Sequence, residues 1–216
     1  MAHIIGLVQV KGGSGRSTIA TNLAGELSRT GKVVLIDADM PQGTSASWAA
    51  IRSKARPNDR FLADTATGHR ELLQKVEALR EKADYIVLDA PPRIAELTRS
   101  ILLLSDLVLI PVGASAAEIW ATGDMVELVN EAKKIGKVDA RMLWTRFRSY
   151  TRLAQELEAE ASKVLKLPQL KAILGYRVAY AEALGLGLTA AEMQDANARQ
   201  EVVGMVVEVK RILKGR

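Results

Sequence analysis

Apolar residues gather in short runs at 3–10, 33–38, 60–63, 85–89, 107–112 and 140–145. Several runs are apolar at nearly every position. Successive side chains of a strand point to opposite faces, so such runs suit parallel strands covered on both sides. Between the runs, apolar residues recur at helical spacing. The pattern predicts helices over 17–30, 44–55, 70–82, 94–104, 116–135, 151–165, 178–183 and 197–214. Gly31 and Gly136 stand where helices stop. This alternation predicts an α/β protein: a single doubly wound, mostly parallel sheet with helices on both faces. Residues 1–216 are expected to form one domain, since no repeat, low-complexity tract or Pro/Gly/Ser-rich linker divides them. Ligands of such sheets bind beyond the carboxyl ends of the strands. Residues 11–15, Asp37, Asp39 and Asp89 all fall at predicted ends.

The first of these ends carries the strongest signal. Lys11-Gly12-Gly13-Ser14-Gly15-Arg16-Ser17-Thr18 follows an apolar run and opens a helical segment. Glycines let the backbone curl so that successive N–H groups face an anion. The helix start adds unpaired N–H groups and a positive dipole end. Ser17 sits where such a loop places a magnesium-binding hydroxyl. The construction is a cradle for nucleotide phosphates, though G-x-x-x-x-G-K-[ST] is not met, because Val10 and Arg16 occupy two of its fixed positions.

Composition narrows the chemistry. The 216 residues suffice for a well-buried core, and 48% hydrophobic with 25% charged residues is a globular balance. The absence of cysteine excludes disulfides, thiolate metal sites, cysteine nucleophiles and iron–sulfur clusters. Only His3 and His69 are available as imidazoles, which argues against a histidine-rich metal site. No secretory signal pattern is present, and the longest apolar stretch, 101–112, is broken by Ser105-Asp106. A cytoplasmic protein without stable membrane insertion is expected. The net charge of +5 suits either attraction to a polyanion or an ordinary lysine-rich surface.

Two further strand ends carry carboxylates. Tyr85-Ile86-Val87-Leu88-Asp89 ends in the position from which P-loop ATPases hold magnesium, through water. Val34-Leu35-Ile36-Asp37-Ala38-Asp39 ends in two aspartates. Asp37 is expected to be structural, accepting loop N–H bonds.

The loop, with one exception, matches K-G-G-x-G-K-[ST]-T and so resembles the deviant Walker A motif of the ParA/MinD family of ATPases. Ala90-Pro91-Pro92 after Asp89 resembles that family's D-x-P-P. Asp39-Met40-Pro41-Gln42 resembles its D-P-Q segment with one residue inserted, and residues 105–112 and 138–146 resemble its later core strands. Size and the lack of an N-terminal helix-turn-helix bring the chain closest to small ParF-like plasmid partition ATPases.

The resemblance implies ATP and Mg2+ as cofactors. Lys11, Gly12, Gly13, Ser14, Gly15, Arg16, Ser17, Thr18 and Arg146 would bind nucleotide, with Arg146 near the adenine. Ser17, Asp39 and, through water, Asp89 would serve the metal. Lys11 would reach the partner's phosphates across an ATP-dependent homodimer, and Asp39 would position the attacking water. Non-specific DNA and a ParB/ParG-like DNA-binding partner that stimulates hydrolysis are the implied partners, with a nucleoid-associated location. Arg16 replaces the family's lysine. A planar, longer cation supplies charge but not the same geometry, so slow turnover with retained nucleotide affinity is expected. A MinD-like membrane cycle and a nucleotide-binding scaffold with little turnover stay open. The basic C-terminal segment 201–216 is expected to pack as a helix, with a DNA-contacting face and a membrane anchor as alternatives.

Overall fold

The computed structural model describes residues 1–92, 95–148 and 152–215. Among these are seven strands: β1 His3–Leu7, β2 Val33–Asp37, β3 Phe61–Thr65, β4 Tyr85–Asp89, β5 Leu107–Gly113, β6 Ala140–Phe147 and β7 Gln169–Gly175. They form one sheet in the order β3-β2-β4-β1-β5-β6-β7, and every pairing is parallel. The helices are α1 Arg16–Leu27, α2 Thr44–Ala55, α3 His69–Leu79, α4 Ala95–Leu104, α5 Ala116–Ile135, α6 Arg152–Leu165, α7 Val178–Leu186 and α8 Ala196–Lys214.

The period-two geometry of the strands accounts for the continuous apolar runs. Ile4, Val34 and Ile36 point into a core layer completed by α3, α4, α5 and α6. Ile5, Leu7, Val33 and Leu35 point into a second layer beneath α1, α2, α7 and α8. Helices cover both faces, as the alternating pattern predicts.

Three differences from the sequence expectation stand out. β1 stops at Leu7, and residues 8–10 leave the sheet to enter the glycine loop. α7 runs past the expected end at 183 to Leu186, where Gly187 closes it at φ 66°. β7 was not expected at all. In its Gln169-Leu-Lys-Ala-Ile-Leu-Gly only Leu170 and Leu174 are buried and Lys171 is exposed, as on an edge strand, and Pro168 precedes it. The expected starts of two helices, Ile94 and Thr151, lie outside the described residues, as does Arg216.

α8 settles the use of the C-terminal stripe. Val202, Val206, Val209 and Leu213 are buried in the second core layer. The stripe therefore serves packing. No described helix is long and apolar enough to cross a membrane.

Register brings the site together. Leu7 and Asp37 both pair with Asp89, so β1, β2 and β4 end at one level. Gly113 pairs with Thr145 at the matching ends of β5 and β6.

Candidate functional site

The glycine loop joins β1 to α1 at that level. Gly13 and Gly15 adopt φ of 72° and 101°, in the left-handed region where a side chain is strained. Gly15 is the N-cap of α1, and its carbonyl accepts from the Ile19 N–H at 3.0 Å. The Thr145 hydroxyl donates to the Ser14 carbonyl at 3.1 Å, which ties the loop to the end of β6. The Ser14 hydroxyl is buried without a hydrogen-bond partner. Residues 12–18 line a cavity of about 440 Å³, and Asp39 lines it too.

Arg16 faces this cavity but turns its guanidinium under the loop. Nε donates to the Ala90 carbonyl at 2.9 Å. Nη1 donates to the carbonyls of Gln9 at 2.5 Å and Lys11 at 2.8 Å. Nη2 stands 3.9 Å from Asp39 Oδ2. Burial lowers its pKa, while the charges of Asp89 and Asp39 oppose that shift. These bonds brace both ends of the loop, a role no motif comparison at this position signals.

The carboxylates divide as their surroundings dictate. Asp37 is fully buried and accepts from the N–H groups of Asp39 and Ala46, each at 2.9 Å, in the structural role expected of it. Asp39 lies near the cavity, its acid held above the usual range by burial against the pull of Arg16. Asp89 is fully buried. Its Oδ2 accepts from the Ser45 hydroxyl at 2.6 Å, and its Oδ1 has no hydrogen-bond partner. Burial pushes its pKa up to about 7, although the hydroxyls of Ser45 and Ser17 pull the other way. An unsatisfied buried carboxylate oxygen beside a serine hydroxyl suits a magnesium ion that keeps its waters.

Lys11 is directed away from this cavity. Its Nζ donates to Glu118 Oε1 at 2.8 Å, and Arg146 Nη2 donates to the same oxygen at 3.0 Å. Glu118 stands in the first turn of α5, capped by Ser115. Sequence reasoning missed Glu118, which lies 107 residues from Lys11.

A second cavity, of about 380 Å³, adjoins the first and shares Gly13, Gly15, Thr18 and Leu184 with it. The expected Arg146 lines it, at a φ of 51°. Its far wall is the β7–α7 turn, including Tyr176, Arg177 and Tyr180, none of which the sequence had marked. The volume is that of a small-molecule pocket.

A glycine cradle at the end of β1, carboxylates ending β2 and β4 and an adjoining pocket define a P-loop nucleotide-binding protein. Residues 2–58 and 55–142 match the family model described as AAA domain. The chromosome-partitioning ATPase Soj of Thermus thermophilus is 30% identical over 217 residues, covering 87% of this chain and 87% of that protein. The chain belongs to the ParA/MinD family of P-loop ATPases, whose members hydrolyse ATP. The maintenance of carboxysome distribution protein A of Halothiobacillus neapolitanus is 27% identical over 190 residues, covering 87% of this chain and 86% of that protein. A variant McdA of Cyanothece, solved as an ATP complex, shares the fold with a TM-score of 0.81. Its identity is 19%, over 99% of this chain and 96% of that one.

Proposed function

We propose that this chain is a ParA-type positioning ATPase. ATP fills the two joined cavities, phosphates on the glycine loop and base toward the β7–α7 turn. Ser17 and, through water, Asp89 would hold magnesium, which would offset phosphate charge, and Asp39 would orient the attacking water. Two copies close face to face over their nucleotides. The closed dimer binds DNA without sequence preference, and a ParB/ParG-like DNA-binding partner stimulates hydrolysis and release. A plasmid, a chromosome or a protein assembly is the cargo.

One observation carries this reading: Lys11, beside a complete phosphate cradle, directs its ammonium out of that cradle to Glu118 at 2.8 Å. A lysine so placed is not used by its own cradle and, once released from Glu118, can serve a second copy's phosphates. The named roles of Soj and of the carboxysome distribution protein support positioning as the task. The membrane-cycling alternative has less support, because the apolar stripe of α8 is already packed in the core.

Light scattering with a slowly hydrolysed ATP analogue and magnesium tests the reading. The mass is expected to double, and Lys11→Ala is expected to stay monomeric. A Lys11→Ala variant that dimerises as well as the parent removes the role given to Lys11.

A further inference from the structure

Glu201, in the second turn of α8, lines neither cavity, yet it organises the wall of one. Its Oε2 accepts from the Gly175 N–H at 2.9 Å and from the Tyr180 hydroxyl at 2.8 Å. Its Oε1 accepts from Arg177 Nε at 2.9 Å and Nη2 at 2.7 Å. One carboxylate thus takes four donors from the end of β7, the turn after it and the first turn of α7. Gly175, Arg177 and Tyr180 all line the 380 Å³ cavity. A planar guanidinium that donates two N–H groups to one carboxylate oxygen is held in orientation as well as by charge. Burial and the bond to Glu201 hold the Tyr180 phenol protonated and donating.

Other ties to this wall do not involve Glu201: the Arg148 guanidinium lies 5.0 Å from the centroid of the Tyr176 ring, and Glu208 accepts from the N–H groups of Lys171 at 3.0 Å and Ala172 at 2.9 Å. Asp195 reaches Arg177 Nη1 only at 4.0 Å and spends its carboxylate capping α8 through the N–H groups of Asn197 and Ala198. The Tyr176 N–H donates to the Phe147 carbonyl at 3.2 Å. The phosphate side is braced separately, by Arg16 and Thr145.

We propose that Glu201 is a positioning residue for the base end of the nucleotide, holding the β7–α7 wall in the shape that receives it from behind. The inference rests on the nucleotide-site reading above. It separates the site into two independently braced halves, with phosphate grip set by the loop and base grip set from α8. A positioning group acts through the geometry it maintains, so its loss falls on ground-state binding more than on the chemical step.

The test uses the full chain with Glu201→Gln and Glu201→Ala. ATP affinity is measured by calorimetry, steady-state kinetics give KM and kcat, and hydrogen exchange follows the two halves. Glu201→Ala is expected to weaken ATP binding at least about tenfold, with KM rising more than kcat falls. Exchange is expected to quicken over 175–184 and to stay unchanged over 12–18. Glu201→Gln keeps an acceptor for Gly175 and Tyr180 but loses the charge opposite Arg177, so it should fall between parent and alanine. ATP affinity within about twofold of the parent in both variants overturns the proposal. So does equal loosening of residues 12–18, or a kcat loss exceeding the change in KM. If Glu201→Ala fails to fold, the same criteria apply to Glu201→Gln. A parent protein that binds no ATP defeats the underlying reading instead, a result distinct from all of these.

Discussion

Lys11 and Glu118 are joined at 2.8 Å across the mouth of the site, one from the glycine loop and one from the first turn of α5. Arg146 shares the same carboxylate oxygen at 3.0 Å, and the other oxygen is buried without a partner. The Thr122 hydroxyl donates to the Glu118 carbonyl at 2.7 Å and accepts from Gln9 at 3.0 Å, so this turn of α5 is tied to the chain entering the loop. In the proposed dimer the lysine must leave this carboxylate before it serves a second copy.

Releasing the lysine should therefore favour association. The pair is half-exposed on the lysine side, where such contacts contribute ~0.5–1 kcal/mol. Glu118→Gln is expected to dimerise at about two- to fivefold lower ATP-analogue concentration, read by light scattering. A variant that needs more analogue than the parent would show that Glu118 assists the dimer rather than restraining the monomer.

Arg16 gives a second expectation, and it reverses the one drawn from the motif alone. If arginine were only a poor copy of the family's lysine, Arg16→Lys would raise kcat. The guanidinium instead braces the carbonyls of Gln9, Lys11 and Ala90. A lysine ammonium cannot span these sites with the same planar fork. Loss of one or two buried bonds costs roughly 1–2 kcal/mol, about 2–8 °C in melting temperature for a chain of this size. Arg16→Lys is expected to melt lower and turn over more slowly. A faster Arg16→Lys enzyme of equal stability would restore the lysine template.

What the chain discloses in advance follows from how each feature is built. β2 and β5 are buried at every position and β1 and β4 at nearly every one, so each appears as an apolar run. β7, which among the described residues pairs only with β6, is buried at just Leu170 and Leu174, and was invisible to that criterion. The loop was legible because strand, glycines and helix start are contiguous. The partner of Lys11 and the wall held by Glu201 were not, because their contacts span 107 and 21 to 26 residues. Arg16 was legible as a departure, but its direction depends on carbonyls contributed by two other segments.

DNA binding gives a third prediction. A net charge of +5 without a described helix-turn-helix leaves backbone contacts as the source of affinity. Each phosphate neutralised adds about 0.9 to the slope of log affinity against log salt. Two unrelated duplexes, titrated with the ATP-bound protein across an about fourfold range of salt, roughly 50 to 200 mM, should bind alike, with a slope steeper than about −3. A strong preference for one duplex, or an affinity indifferent to salt, would contradict the DNA role.

Asp89 gives the last prediction, on pH. Burial raises its pKa to about 7, well above an unfolded aspartate, so the folded protein binds an extra proton between about pH 4 and 7. Stability from this group is then present at low pH and lost as pH rises through about 7, because the unfolded chain ionises more readily. In chelator, without nucleotide, Asp89→Asn removes the cost of the buried charge while leaving an acceptor for Ser45. Melting curves from pH 5 to 8 should show the variant gaining on the parent as pH rises, and melting higher by pH 8. With ATP and magnesium the order should reverse, since the parent's ionised carboxylate then holds metal-bound water and the amide holds it poorly. A constant difference between parent and variant across the pH series would mean that Asp89 does not carry its charge at the expected cost. A variant stabilised by ATP and magnesium as much as the parent would remove it from the metal site.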